Sequence, residues 1–510
     1  MLIITFLLGF FEIIIPHVTR RYTTFVCTTS AWEIRSDNYI RYGKGGKTVE
    51  GTLFPQYLNL INGNVNYGFE KDGTETKTNE EKHQEVKDDI ENVPTRDHWD
   101  RPIEFLLSCI SMSVGLGNVW RFPFTAYNNG GGAFLIPYLL VLLFVGRPLY
   151  YMELCMGQFA SYGNVEVWNV VPAFKGLGYG QAVSTYAVAT YYMSLMAITI
   201  FYFIFSFSNT LPWSSCPQNV SGCIDSTMNL SGSEYANSTS SSEFYFVNEV
   251  LHKNPKGLDE GLSPPNLKLS LCLLASWIIL FFILVKGVKS SGKAAYFTAL
   301  FPYLILFTLL GKGASLPGAV NGIKYFVTPQ WEKLLEPSVW YAAVGQCFFS
   351  LNVGYGSVIM FASYNKFSHN IYRDAVIISC TDTLTSFIAG CTIFSILGHL
   401  AFIMKVDDIN LVIKGGGSSL AFISYPDAIA RFQSVPQLFS VCFFLMLFTL
   451  GIGSGTAMVG CIITIICDKF PHLRRSFVTI VVCISGFLLG LIYVTPEGSY
   501  ALDLVDHYGA

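Results

Sequence analysis

The stretch Ser113-Val-Gly-Leu-Gly-Asn118 falls in the middle of an apolar run at 102–126, and Ser350-Leu-Asn-Val-Gly-Tyr-Gly356 falls in the middle of another at 338–364. Both concentrate glycine and polar side chains where a helix in lipid would carry aliphatic ones, so both predict backbone that leaves the helical path. Further apolar runs lie at 133–156, 182–208, 267–286, 294–311, 374–403, 437–467 and 475–494, and a tenth starts near Ser499 and is incomplete at Ala510. Each approaches the ~20 residues that cross a ~30 Å hydrocarbon core, and backbone in lipid must satisfy its own hydrogen bonds, so these runs predict transmembrane helices. The two interrupted runs are the first members of two successive groups of five. Interruptions at matching places in two halves point to a transport site, because unwound backbone frees carbonyls for cations and half-helix N-termini for anions. Close packing through small residues would account for the glycines, but it gives Asn118 and Asn352 no reason to enter lipid.

The composition agrees with lipid as the main solvent. Of 510 residues, 51% are hydrophobic and 13% charged, which excludes a soluble multidomain enzyme. Lys plus Arg (32) nearly balances Asp plus Glu (35), so no charge excess points to nucleic acid. The N-terminal region, 1–95, differs from the rest. Residues 1–16 are apolar, yet they lack a basic start and carry Glu12, a poor match to a signal peptide, and the segment is left unassigned. From about Arg35 to Arg101 the chain is polar and charge-mixed, as in Lys71-Asp-Gly-Thr-Glu-Thr-Lys-Thr-Asn-Glu-Glu-Lys82, which predicts a mostly disordered tail. Residues 96–510 form the expected membrane core.

Orientation follows from two features. The 209–266 loop holds three N-glycosylation acceptors, at Asn219, Asn229 and Asn237, which favours the extracellular side. Cys216 and Cys223 in the same loop predict a short disulfide in an oxidising compartment. Counting from there places the 286–293, 364–374 and 468–475 connections inside, where Lys286, Lys289, Lys293, Lys366, Arg373, Lys469, Arg474 and Arg475 sit. Positive charge on the cytoplasmic side agrees, and the same count makes the N-terminal tail cytoplasmic.

Trp99 to Gln158 carries Val114-Gly-Leu-Gly-Asn-Val-Trp-Arg-Phe-Pro123 and Asn129-Gly-Gly-Gly-Ala-Phe-Leu-Ile-Pro-Tyr138. This segment resembles the sodium:neurotransmitter symporter (solute carrier 6) family. Val344-Gly-Gln-Cys-Phe-Phe-Ser350 and the stretch around Ser454 resemble it too, and the resemblance runs from about Arg96 to Ala510. It implies an all-α polytopic plasma-membrane protein with two inverted five-helix repeats and discontinuous helices one and six. It also implies two sodium sites. The first would use the Ser113 carbonyl, the Asn118 side-chain oxygen, Ser350, Asp382 and the carboxylate of the substrate. The second would use carbonyls of Ser111, Val114 and Leu450 with the Ser454 hydroxyl. At the neighbouring position the family carries a hydroxyl or carboxylate where this chain has Gly453, which predicts a weaker or hydrated second site.

Asp382 departs from the family pattern, which has asparagine there. A charge at mid-membrane costs about 2.5–3.5 kcal/mol on insertion scales, so an unpaired acid is not expected in that place. The residue resembles the cation-site aspartate of the nutrient amino acid transporter branch, which implies potassium as an alternative coupling ion. Gly146-Arg-Pro148 also resembles that branch, with Arg147 read as structural or interfacial.

Gly115 decides the substrate class, because monoamine-type relatives carry an aspartate there to hold an amine. Two like charges 4 Å apart cost about 4 kcal/mol at an effective dielectric of 20, so an Asp would repel an α-carboxylate. Glycine instead leaves the amides around Gly115, Leu116 and Gly117 open to receive one. By resemblance Tyr192 completes the carboxylate clamp, with Ser113 and Ser454 beside it, and Met112, Val188, Phe349, Asn352, Tyr355 and Met458 line the side-chain pocket. That lining predicts neutral, medium to large amino acids.

Two charged pairs correspond to family gates, Arg121 with Asp506 outside and Arg96 with Asp468 inside. Tyr138, Gln346, Ser350 and Ser386 match a chloride-binding set, but an ionised Asp382 beside chloride would raise the free energy of both. Gly176-Leu-Gly-Tyr-Gly180 is not a phosphate loop, since no strand precedes it and no Lys-Ser/Thr follows, and it reads as a loop between helices. No zinc pair or nucleophile elbow is present in the sequence. The expectation is a sodium-coupled importer of neutral amino acids working by alternating access, not an enzyme. A carrier for a small neurotransmitter amino acid such as glycine, or a truncated non-transporting product, are the alternatives.

Overall fold

A computed structural model of the chain describes residues 32–34, 39–44, 47–52, 96–217, 222–226, 239–257, 261–405, 420–432 and 435–508. It divides into two compact units, Met1–Thr95 and Arg96–Ala510. In the first unit, β1 (Trp32–Ile34), β2 (Tyr39–Lys44) and β3 (Lys47–Thr52) form an antiparallel meander with Ile34 opposite Ile40 and Lys44 opposite Lys47. These residues correct the expectation of disorder from Arg35 onward. The sequence carries β-formers such as Tyr39, Ile40 and Tyr42, and a Gly45-Gly46 pair of hairpin type separates β2 from β3.

The second unit is helical. The first predicted span is two helices, α1 (Pro102–Ser113) and α2 (Phe122–Asn128), joined by a π-helical turn at Gly117–Arg121 and bent by 45°. Pro102 opens α1, where a missing N–H costs nothing. The second span runs through α3 (Leu135–Val141) and α4 (Arg147–Ala160), and α5 (Lys175–Phe205) is the third. Then follow α6 (Leu267–Leu284), α7 (Val288–Ala314), the short α8 (Ala319–Val327), and the broken sixth span, α9 (Pro337–Leu351) with α10 (Ser357–Ala362). The series ends with α11 (Ile371–Ile403), α12 (Tyr425–Ala430), α13 (Pro436–Lys469), α14 (Arg475–Gly490) and α15 (Gly498–Tyr508). Seven helices are long and apolar enough to cross a membrane, and the α1–α2 pair makes an eighth span.

At 33 residues α11 is about 50 Å long, more than a hydrocarbon core, so it must tilt or project beyond it. Asn370 starts it by accepting from the Arg373 amide at 3.3 Å. Phe144, Phe282 and Leu304 point outward and are mostly exposed, as side chains in contact with lipid tails would be. Gly176–Gly180 corrects the reading of a loop. It forms the first turns of α5, and Gly178 lies where a Cβ would press on Asn164, Val165 and Trp168, so that glycine serves close packing.

Candidate cation and substrate site

The first break begins where Val114 leaves the helix (φ −81°, ψ 85°) while its amide still donates to the Ile110 carbonyl at 2.8 Å. The Gly115 amide is shared between the Ser113 carbonyl and Asn118 Oδ1, both at 3.0 Å. The Leu116 amide donates to the Tyr192 hydroxyl of α5 at 3.4 Å. A Cβ on Gly115 would stand 2.6 Å from Ser454 Oγ and 3.3 Å from the Tyr192 hydroxyl, so no other residue enters without displacing the α13 hydroxyl.

The second break follows α9. Asn352 takes the left-handed conformation (φ 57°), and Gly354 and Gly356 follow with φ 89° and 79°. Glycine permits those two turns at little steric cost. Two residues that the sequence reading missed secure the unwound backbone. Glu153 Oε1 of α4 accepts from the Gly354 amide at 2.9 Å, and Thr185 Oγ1 of α5 donates to the Tyr355 carbonyl at 2.6 Å. A lone acid in an apolar span was the available signal for Glu153.

Asp382 of α11 lies between the two breaks and is fully buried. Its Oδ1 accepts from Asn118 Nδ2 at 2.7 Å, and Ser350 Oγ is 2.9 Å from both carboxylate oxygens. The Tyr138 hydroxyl donates to Oδ2 at 3.4 Å, and Asn118 Nδ2 also reaches Ser386 Oγ at 2.9 Å. The expected role of the Asn118 oxygen is corrected in this arrangement. A carboxylate can only accept, so Asn118 turns its NH2 to Asp382 and gives its oxygen to the Gly115 amide. Of the chloride set, Tyr138 and Ser350 aim their donors at the carboxylate. The buried amide of Gln346 has no partner for either polar atom among the described residues. Arg147 Nε donates to Ser379 Oγ at 2.9 Å, tying α4 to α11 one turn before Asp382.

Above Asp382, a cavity of about 420 Å³ is lined by Asn118, Ser350 and all twelve residues singled out for substrate: Met112, Ser113, Gly115, Leu116, Gly117, Val188, Tyr192, Phe349, Asn352, Tyr355, Ser454 and Met458. Its size suits a small ligand, and its lining is largely apolar with a few convergent polar groups.

Of the second sodium set, Val114 and Leu450 are buried, and Ser454 Oγ donates to the Met112 carbonyl at 2.9 Å. Ser111 Oγ donates to Thr298 Oγ1 of α7 at 2.7 Å, and it occupies the space that a Cβ on Gly453 would need. The side chain absent from α13 is thus matched by one present on α1. Thr298 was missed because one threonine in an apolar run has no distinguishing pattern.

Arg96 Nη1 meets Asp468 Oδ1 at 2.8 Å, Nη2 donates to Ser363 Oγ at 2.7 Å, and the guanidinium lies 4.4 Å over the Tyr364 ring. The Gly163 amide donates to the other Asp468 oxygen at 2.6 Å. The expected Arg121–Asp506 pair is corrected, since the two make no ion pair here. Tyr191 donates to Asp506 Oδ1 at 2.6 Å, and Arg121 stacks 4.2 Å over the Phe349 ring. Cys216 and Cys223 form a disulfide with Cα atoms 6.0 Å apart. Asn219, Asn229 and Asn237 lie outside the described residues.

The Glu497 carboxylate, in the connection before α15, accepts from the Ser263 amide at 2.9 Å, Ser263 Oγ at 2.8 Å and Asn254 Nδ2 at 3.0 Å. Those donors, the Ser263 amide first, hold its pKa down at about 2.

Residues 96–510 match the family model described as the sodium:neurotransmitter symporter family. The chain is 52% identical over 462 residues to sodium-dependent nutrient amino acid transporter 1 of Drosophila willistoni, covering 86% of this chain and 71% of that protein. It is 54% identical over 440 residues to the protein of the same name from Drosophila pseudoobscura pseudoobscura, with 83% and 67% covered. For the Drosophila virilis protein of that name the identity is 53% over 434 residues, with 82% and 68% covered. A match of that extent, on a helical membrane fold broken at the two places that form one cavity, means that the chain belongs to the sodium:neurotransmitter symporter family.

Proposed function

We propose that this protein imports neutral amino acids across the plasma membrane by sodium-coupled symport and alternating access, with its N-terminus in the cytoplasm. One observation carries the reading: the Asp382 carboxylate and the unwound amides at Gly115, Leu116 and Gly117 border the same cavity. A cation beside Asp382 places positive charge where a substrate carboxylate, received by the open amides and Tyr192, completes its coordination. Each of the two then stabilises the other, which is the coupling symport requires. Cations that favour oxygen ligands can use Ser350, Asp382 and the Ser113 carbonyl, and potassium is an alternative to sodium there. A second sodium would use carbonyls of Ser111, Val114 and Leu450 with Ser454, and the Ser111 hydroxyl compensates for Gly453. Chloride is dispensable, since Tyr138 and Ser350 already donate to an anionic carboxylate.

The names of the Drosophila relatives, nutrient amino acid transporters that depend on sodium, support this reading, as does the absence of a side chain at Gly115. Recording uptake currents in sodium, potassium and choline with leucine, phenylalanine, glycine and γ-aminobutyrate tests it. Currents with leucine and phenylalanine in sodium are expected. Currents with glycine or γ-aminobutyrate alone, or none in sodium, would overturn it.

A further inference from the structure

A second polar face runs along α1. Glu104, Ser108 and Ser111 follow at spacings of four and three, which sets them on one side of the helix. Ser108 and Ser111 line a cavity together with Ser291 and Thr298 of α7 and Thr456 of α13. Thr298 and Thr456 donate to the carbonyls of Ala294 and Ile452 in their own helices, and Ser291 to that of Val288. Their remaining lone pairs are therefore free to accept, and the cavity offers hydroxyl oxygens, as a hard cation prefers.

Two atoms in this region have no hydrogen-bond partner among the described residues. One is Ser108 Oγ, which lines the cavity. The other is Glu104 Oε2, on a side chain only 4% exposed. A Cβ on Gly292, next to the cavity-lining Ser291, would come within 3.1 Å of that oxygen, so glycine there lets the carboxylate lie against α7. Among the described residues no Lys or Arg pairs with Glu104. A buried carboxylate in a spanning segment without a fixed partner calls for a mobile one.

We propose that the cavity between α1, α7 and α13 holds a monovalent cation in passage toward the end of the fold that carries Arg96 and Asp468, with Ser108 and Thr298 as ligands and Glu104 as counter-charge. The direction of passage rests on the symport reading, whereas occupancy does not.

Two measurements on the purified full chain separate these points. In sodium-22 binding, Glu104→Gln and Ser108→Ala should each raise half-saturating sodium tenfold or more, and Thr308→Val, which removes a lipid-facing hydroxyl, should leave it unchanged. In proteoliposomes, both cavity variants should keep amino acid exchange within about threefold when sodium is saturating on both sides, and lose tenfold or more of net uptake. Sodium binding by Ser108→Ala that superimposes on that of the unaltered chain overturns the proposal, even if Glu104→Gln fails to fold. Loss of exchange in step with net uptake also overturns it, since that marks a structural role. Shifted sodium binding with no amino acid uptake by the unaltered chain would instead defeat the symport reading and leave the cation site standing.

Discussion

Asn118 and Asp382 are 264 residues apart in sequence, yet the amide nitrogen of one lies 2.7 Å from the carboxylate of the other. That contact joins the first helix break to α11, and Ser350 at the second break touches the same carboxylate. Both breaks therefore respond to the charge at one buried point. Neutralising that charge with a cation changes what Asn118 and Ser350 are bonded to, which gives an ion a means of shifting a conformational equilibrium.

Asp382→Asn keeps the shape and removes the charge. Half-saturating sodium should rise tenfold or more, about 1.4 kcal/mol, and the sodium-to-potassium ratio should change. The order of amino acids in competition should stay the same. Radiolabelled uptake with unchanged sodium and potassium dependence would contradict this.

Gly115→Ala adds one methyl, against Ser454 Oγ at 2.6 Å. Overpacking of this kind costs about 1–3 kcal/mol, so leucine binding should weaken by roughly tenfold or more. Gly115→Asp adds like-charge repulsion against the α-carboxylate, and its loss should exceed that of the alanine variant. Scintillation proximity binding of labelled leucine measures both, and equal losses would argue against a carboxylate at this position.

Removing Arg96 leaves Asp468 without its guanidinium at a site where both side chains are mostly buried. Arg96→Ala should favour the conformation open on that side by about 1–3 kcal/mol, a typical coupling energy. Cys467, which is half-buried beside Asp468, should then react with maleimide about tenfold faster, whereas exposed Cys380 should not change. Equal rates at Cys467 in both proteins would remove the latch role.

Glu497 supplies a pH test. Its folded-state pKa of about 2 lies below the ordinary value of 4.5, so its contribution to stability is fully present above about 4.5 and is lost as pH falls toward 2. Thermal unfolding of Glu497→Gln should be less stable than the unaltered chain at pH 7, and the gap should narrow in acid. A gap independent of pH would mean that the hydrogen bonds from Ser263 and Asn254 do not depend on charge.

Hydropathy alone located the spans, because a helix in lipid needs a run of apolar residues and nothing distant can supply it. Glycine and asparagine at 113–118 and 350–356 likewise marked both breaks, since backbone freedom is a local property. The odd acid at 382 was visible for the same reason. What local sequence could not determine was which donors face which acceptors. The Asn118 amide turned its nitrogen to Asp382, Tyr191 took the carboxylate intended for Arg121, and Ser111 filled the space beside Gly453. Each of these outcomes is set by side chains far apart in the chain competing for one partner, a choice that packing makes only after the helices meet.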